Sequence, residues 1–337
     1  MSTKHQVIIT VVLSLVLWHI LDVFLWEKKL VQFETFALGT TVTVTYPQHH
    51  ESKNKEIEKG ITDILYYVSH DLSGYVPDST VSKLNRERLV VANELFEYAV
   101  KKAIIISALS DGAFDITSQP LVDLWRKADE MNSTPDSQSI ADIQKQVDYR
   151  HITVTGSIIG FDKKGVEINL DDLAKGYAAD LIAKFFKGKM VYPAKVAMGG
   201  TVLVIGSEPK NIGWKVLITG ANNTYHPLIL NIKNKAVVSL GDYSGIVLSQ
   251  RASHLPDSSP VIDPRNGYPV QDVPRFVSVV SEKAIVASGL ARALFVLGPE
   301  RGINLIDSLD DSAALIIDSR GKINYSKRWH YGKIKGN

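Results

Sequence analysis

A chain of 337 residues, 45% hydrophobic and 22% charged, has enough apolar side chains to bury a large core and too many to remain disordered. Its net charge of +2, with Lys and Arg scattered along the sequence, forms no basic stripe to neutralise phosphates, so nucleic acid is excluded as the expected partner. The absence of cysteine excludes disulfides, thiolate nucleophiles and Cys-ligated zinc or iron-sulfur sites.

In chain order, residues 7–26 are almost continuously apolar, interrupted by His19 and Asp22, and long enough to cross a bilayer as a helix. Asp22 falls about 6 Å from the end of that helix, within reach of headgroups, and Trp18 and Trp26 suit an interfacial belt. The stretch runs through Val23-Phe24-Leu25-Trp26 into Glu27-Lys28-Lys29 with no small-residue cleavage site, which predicts an uncleaved membrane anchor over residues 1–29. A globular body over 30–325 and a tail over 326–337 complete the expected division. Lys4 and His5 before the span are balanced by Lys28 and Lys29 after it, so charge leaves its orientation open.

Residues 40–46 alternate, with Val42, Val44 and Tyr46 on one side and threonines on the other, as a half-buried strand does. Residues 56–68 and 95–109 place apolar side chains at helical spacing, and a short helix is expected over 120–127 with Pro120 in its first turn. Residues 131–139, rich in Ser, Asn, Asp and Pro, read as a loop. Strands are predicted at 165–170, 195–197, 201–205, 214–219, 228–232 and 276–280, with helices at 172–186, 282–297 and 299–308. Strands and helices neither alternate strictly nor segregate, which predicts an α+β fold over a doubly wound parallel sheet.

Several segments carry candidate chemistry. Asp171-Asp172-Leu-Ala-Lys175-Gly176-Tyr177 sets acids at a helix N-terminus, where they favour the exposed amides. A cap alone explains the acids and leaves Lys-Gly-Tyr unexplained, since glycine weakens a helix by about 1 kcal/mol unless close approach requires it. Met198-Gly199-Gly200-Thr201 either lets backbone amides approach a phosphate or ring edge or is simply a turn. Ile262-Asp263-Pro264-Arg265-Asn266-Gly267 is a turn in which Arg265 is able to face an anion. His254 reads as an exposed loop residue.

Taken together, the segments resemble the FAD:protein FMN transferases, once called thiamine-biosynthesis lipoproteins, over residues 35–306. Leu38-Gly39-Thr40 is similar to the family's Met-Gly-Thr, and Tyr75 to Asn85 to its Tyr-Ser-Asn segment. Gly112-Ala113-Phe114-Asp115-Ile116-Thr117 through Trp125 is close to its most recognisable motif. Lys175-Gly176-Tyr177, Gly199-Gly200, Ser239 to Tyr243, the Asp263-Pro264-Arg265 turn and Ala293 to Gly298 follow in the family's order. The resemblance implies an α+β fold with two sheet-containing halves and a cofactor cleft between them. It also implies a cofactor-binding set of Leu38, Tyr75, Ala113, Phe114, Asp115, Asn169, Lys175, Gly199, Gly200 and Arg265, with Tyr75 stacked on a ring of FAD. The reaction implied moves FMN from FAD to a Thr or Ser of an acceptor flavoprotein, releasing AMP, with magnesium as the expected charge stabiliser. The family's habit places the body on the periplasmic side of the inner membrane.

The resemblance breaks at the metal. The family's Ala-Asp-x-Leu-x-Thr helix becomes Ala287-Ser288-Gly289-Leu290-Ala291-Arg292, its aspartate before Lys-Gly-Tyr becomes Asn169, and the motif histidine is replaced by Pro260. Asp172, Ser288 and Arg292 thus occupy the family's metal positions, and a guanidinium there opposes a hard cation. An Arg292 to Asp172 pair closing that site, or Arg292 clamping the pyrophosphate, is the expected catalytic arrangement. The other readings are a lapsed enzyme that carries FAD for a flavin-bearing partner and a generic extracytoplasmic binding module.

Overall fold

The computed structural model describes residues 29–209, 211–218, 228–241 and 261–332; the apolar segment 7–26, Tyr243, His254 and Pro260 lie outside them. Strands β1 (Leu30–Ala37) and β2 (Thr40–Pro47) form a hairpin in which Ala37 faces Thr40. The two turn residues, Leu38 and Gly39, have φ of 51° and 72°, the positive values that match a tight turn to the twist of its strands. The alternation read at 40–46 resolves as expected: Val42, Val44 and Tyr46 are buried.

Helices α1 (Glu51–Leu72), α2 (Thr80–Glu87) and α3 (Glu94–Leu109) follow, with the short strand β3 (Leu89–Val91) between the last two. Ser79 and Asn93 cap α2 and α3 by accepting from Ser82 N and Phe96 N. A 3-10 turn, Ile116–Ser118, leads into α4 (Gln119–Glu130) and α5 (Ser137–Gln144), so the loop expected over 131–139 is cut short by a helix that Asp136 caps. Strands β4 (Ile152–Thr155) and β5 (Ile158–Phe161) pair with β3 in a three-stranded sheet. Residues 165–170, predicted as a strand, belong to none: Ile168 N donates to Asn85 Oδ1 and Asn169 N to Ile116 O, so a side chain and a loop take the bonds a neighbouring strand would have made.

Next come α6 (Asp171–Gly188), β6 (Ala194–Met198), β7 (Thr201–Ile205), the hairpin β8 (Trp214–Ile218) and β9 (Leu228–Ile232), and β10 (Ala236–Gly241). The chain ends with β11 (Phe276–Ser281), α7 (Ala284–Asp307), β12 (Ala313–Ile317) and β13 (Ile323–Tyr325). The two helices expected at 282–297 and 299–308 are one element broken at Gly298, where φ is 72° ahead of Pro299.

Eight strands form one sheet in the order β1-β2-β6-β7-β10-β11-β12-β13, antiparallel at every pairing. The fold is mixed α and β, with one large sheet and two small ones. Alternate residues of β7, β10, β11 and β12 divide between two cores. Leu203, Val238, Val279 and Ile316 join the core under the helices, while Val204, Val237, Val280 and Leu315 join Trp214 and Leu230 of the β8–β9 hairpin on the other face. Residues 326–332, which the sequence reading sets apart as tail, are built into this second core: Trp329 is buried in it and Ser326 Oγ accepts from Ala314 N. Among the described residues no helix is long and apolar enough to cross a membrane.

Candidate functional site

Asn169, just ahead of α6, joins three segments. Its amide donates to Ile116 O at 2.8 Å, its Oδ1 accepts from Asp171 N at 2.7 Å and its Nδ2 donates to Gln119 Oε1 at 2.8 Å. The 112–117 loop, the start of α4 and the start of α6 are thereby held together. The Gly74 amide lies near enough to the Asp171 carboxylate to favour its charged form, which adds the loop bearing Tyr75. Burial pushes the Asp171 pKa up, and the neighbouring Asp172 charge adds to the shift.

One turn along α6, Lys175 lies against the β6–β7 bend. A β-carbon on Gly199, whose φ is 56°, would sit 3.7 Å from Lys175 Cδ and 3.7 Å from Thr40 Oγ1, so the β1–β2 hairpin reaches the same place. Arg292, in the third turn of α7, brings its Nε to 3.3 Å from Asp172 Oδ2; the arginine side chain is 23% exposed and the aspartate 52%. The segments carrying Phe-Asp-Ile-Thr, Lys-Gly-Tyr and Gly-Gly are therefore neighbours. What they assemble is suited to an anion: Lys175 and Arg292, the N-terminus of α6, the open backbone of Gly199, and an aromatic, Tyr75, that is 77% exposed.

Several of the expected cofactor-binding residues are also held by contacts within the fold. Ala113 and Phe114 are buried in the main core, and Asp115 caps the 3-10 turn, with Oδ1 accepting from Thr117 N and Oγ1 and Oδ2 from Tyr149 N. Burial raises the Asp115 pKa against those hydrogen bonds. All three side chains of this trio are buried. Arg265, expected to face an anion, has its fork occupied by Asp263 through Nε–Oδ1 at 2.8 Å and Nη2–Oδ2 at 2.7 Å. Gly176 is required by a helix: a β-carbon would collide with Ser288 Oγ and lie 2.5 Å from Ala284 O. Gly200 is likewise set by the sheet, where a β-carbon would strike Ser239 O. Leu38 is half-buried against the main core at the hairpin turn.

Thr40, Gln119 and Gly74 are parts of this assembly that residue chemistry did not single out. Thr40 stood in a quoted motif, but nothing in the spacing tied it to Lys175, 135 positions away in sequence.

Residues 38–317 match the ApbE family. The FAD:protein FMN transferase of Vibrio cholerae is 26% identical over 292 residues, covering 83% of this chain and 85% of that protein. Its counterpart in Haemophilus influenzae is 25% identical over 308 residues, covering 86% and 87%. Among solved structures, the apo flavinyl transferase ApbE of Pseudomonas stutzeri superposes with a TM-score of 0.78 at 25% identity, covering 89% of this chain and 95% of its own. The Vibrio cholerae flavin transferase ApbE gives a TM-score of 0.77 at 24% identity, a likeness of fold.

Proposed function

The chain belongs to the ApbE family, and from that premise we propose that it is an FAD:protein FMN transferase acting on a threonine or serine of an acceptor redox protein. The acceptor hydroxyl oxygen attacks the FMN-side phosphorus of FAD. A P–O bond to the acceptor forms, the bridging P–O bond breaks with its electron pair leaving on AMP, and the hydroxyl proton passes to water. Negative charge grows on the departing phosphate, so catalysis here is a matter of placing positive charge before the step begins. The observation that carries the reading is the meeting of Lys175, Arg292, Gly199 and the Tyr75 loop at the start of α6, on a fold shared with flavin transferases.

Magnesium does not fit the residues present. Among the described residues no three His, Asp or Glu side chains group to hold a metal. Asp172 is paired with a guanidinium, burial disfavours the charged form of Asp171, and Ser288 is buried against Gly176. No step is therefore routed through a divalent ion.

The anchor at residues 7–26 and a periplasmic body rest on the sequence alone; protease digestion of spheroplasts that spares the body would argue against that placement. Transfer itself is tested by incubating the protein with FAD and an acceptor domain. The acceptor is expected to gain one FMN less one water by mass, with AMP in equal amount. Bound FAD without that gain would instead favour a carrier.

A further inference from the structure

We propose that Arg292, oriented by Asp172, takes the place of a divalent cation at the FAD pyrophosphate, so that this chain binds and uses FAD without metal. The inference rests on the flavin-transfer reading and adds which charge does the work.

The guanidinium is the better-buried partner of its pair, 23% exposed against 52%, so it has lost more of its hydration than the carboxylate that steadies it. Its Nε faces Asp172, and the planar fork has further N–H donors with which to meet phosphate oxygens. Lys175 stands one turn from Asp172 against Gly199, and its charge acts on the neighbouring Asp171 carboxylate. Lys175 and Arg292 thus stand beside two carboxylates, the exposed Asp172, already paired with the guanidinium, and Asp171, whose pKa burial pushes up, so the exposed charge is two cations to one carboxylate. A hard cation entering here would meet two resident cations and find the exposed carboxylate already committed to arginine. Arg292 also has reason to be where it is. It lies one turn beyond Ser288, and the close α6–α7 approach that Gly176 permits sets the distance between Asp172 and the guanidinium.

Isothermal titration of the metal-stripped full chain with FAD, in EDTA and again in millimolar magnesium, tests this. The wild type is expected to bind FAD with affinities agreeing within about twofold in the two buffers, and Arg292→Gln to lose at least about tenfold in both. Arg292→Lys should fall between them, because it keeps the charge and loses the fork. Asp172→Asn supplies a readout independent of any unfolding of the arginine variants. If Asp172 orients Arg292, Asp172→Asn weakens FAD binding by the same factor in both buffers; a loss confined to the magnesium buffer would mark Asp172 as a metal ligand and overturn the inference. A tenfold gain for the wild type on adding magnesium, or wild-type affinity in a folded Arg292→Gln, overturns the inference and leaves the flavin reading standing. Failure to bind FAD in either buffer overturns the flavin reading and the inference with it.

Discussion

Three hydrogen bonds converge on Asp115 in a buried setting, and burial still leaves its pKa above the ordinary aspartate value. A carboxyl that holds its proton more tightly when folded contributes most to stability below the ordinary aspartate range and loses that contribution as pH rises through the raised value. The difference in urea midpoint, wild type minus Asp115→Asn, is therefore expected to fall as pH rises above the ordinary aspartate range; a difference that grows would show that the hydrogen bonds outweigh burial. Gly176 offers a second residue-scale test. Alanine there gains about 1 kcal/mol of helix propensity but forces α6 and α7 apart, and overpacking of this kind costs about 1–3 kcal/mol. Thermal unfolding should show a lowered Tm that Ser288→Ala does not restore, since the Ala284 carbonyl remains in the way. Both residues were conspicuous in the sequence as an acid and a glycine in motifs. Their reasons were not legible, because a cap for Tyr149 and a contact with α7 depend on partners 34 and more than 100 positions distant.

Elements with one wet face were legible, because the periodicity of burial is then written in the residues: β2, α1 and the β8–β9 hairpin all alternate or repeat as read. Strands β11 and β12 are buried on both faces, so they carry no alternation; β11 was recognised from its β-branched run and Ala-Ala-Leu-Ile-Ile of β12 was not. The eight-residue helices α2 and α5 escaped for the opposite reason, being too short to show a period and announced only by Ser79 and Asp136. The start of α7 is an element whose stability depends on another. Lys283 gives it no side-chain cap, and the Asp180 carboxylate of α6 takes the amides of Ala284 and Ile285 instead, each at 3.0 Å. Asp180→Ala strands both amides in a buried place, at a cost of about 1–3 kcal/mol. Because Arg292 rides on the same helix, amide exchange in the first turns of α7 should quicken and FAD affinity fall along with it. Unchanged exchange would mean that packing against the sheet alone fixes that helix.

On the scale of the whole molecule, the order of motifs was legible and so was the family, while the layering was not. The large sheet separates two cores of different size, and the site lies on the helical side at the ends of α6, β6 and the β1–β2 hairpin. The opposite side is closed by the β8–β9 hairpin together with Trp329 and, partly, Tyr331, residues that composition alone left in a tail. Trp329 packs beside Tyr325 with ring centroids 6.2 Å apart and donates its indole N–H to Gly332 O at 2.6 Å, and the amide of Asn231 in β9 reaches Tyr331 O. Removing a buried indole costs about 3–5 kcal/mol, a large share of the stability such a domain has. Trp329→Ala, and more severely a chain ending at Tyr325, is thus expected to lower Tm and expose the second core to a hydrophobic dye. The effect should reach the site only through stability, since β7, β10, β11 and β12 shield one core from the other. At a temperature where Trp329→Ala is folded, its FAD affinity should match that of the wild type. A weakened affinity in the folded variant would show that the sheet transmits strain from one face to the other, as a close-packed interior is able to do.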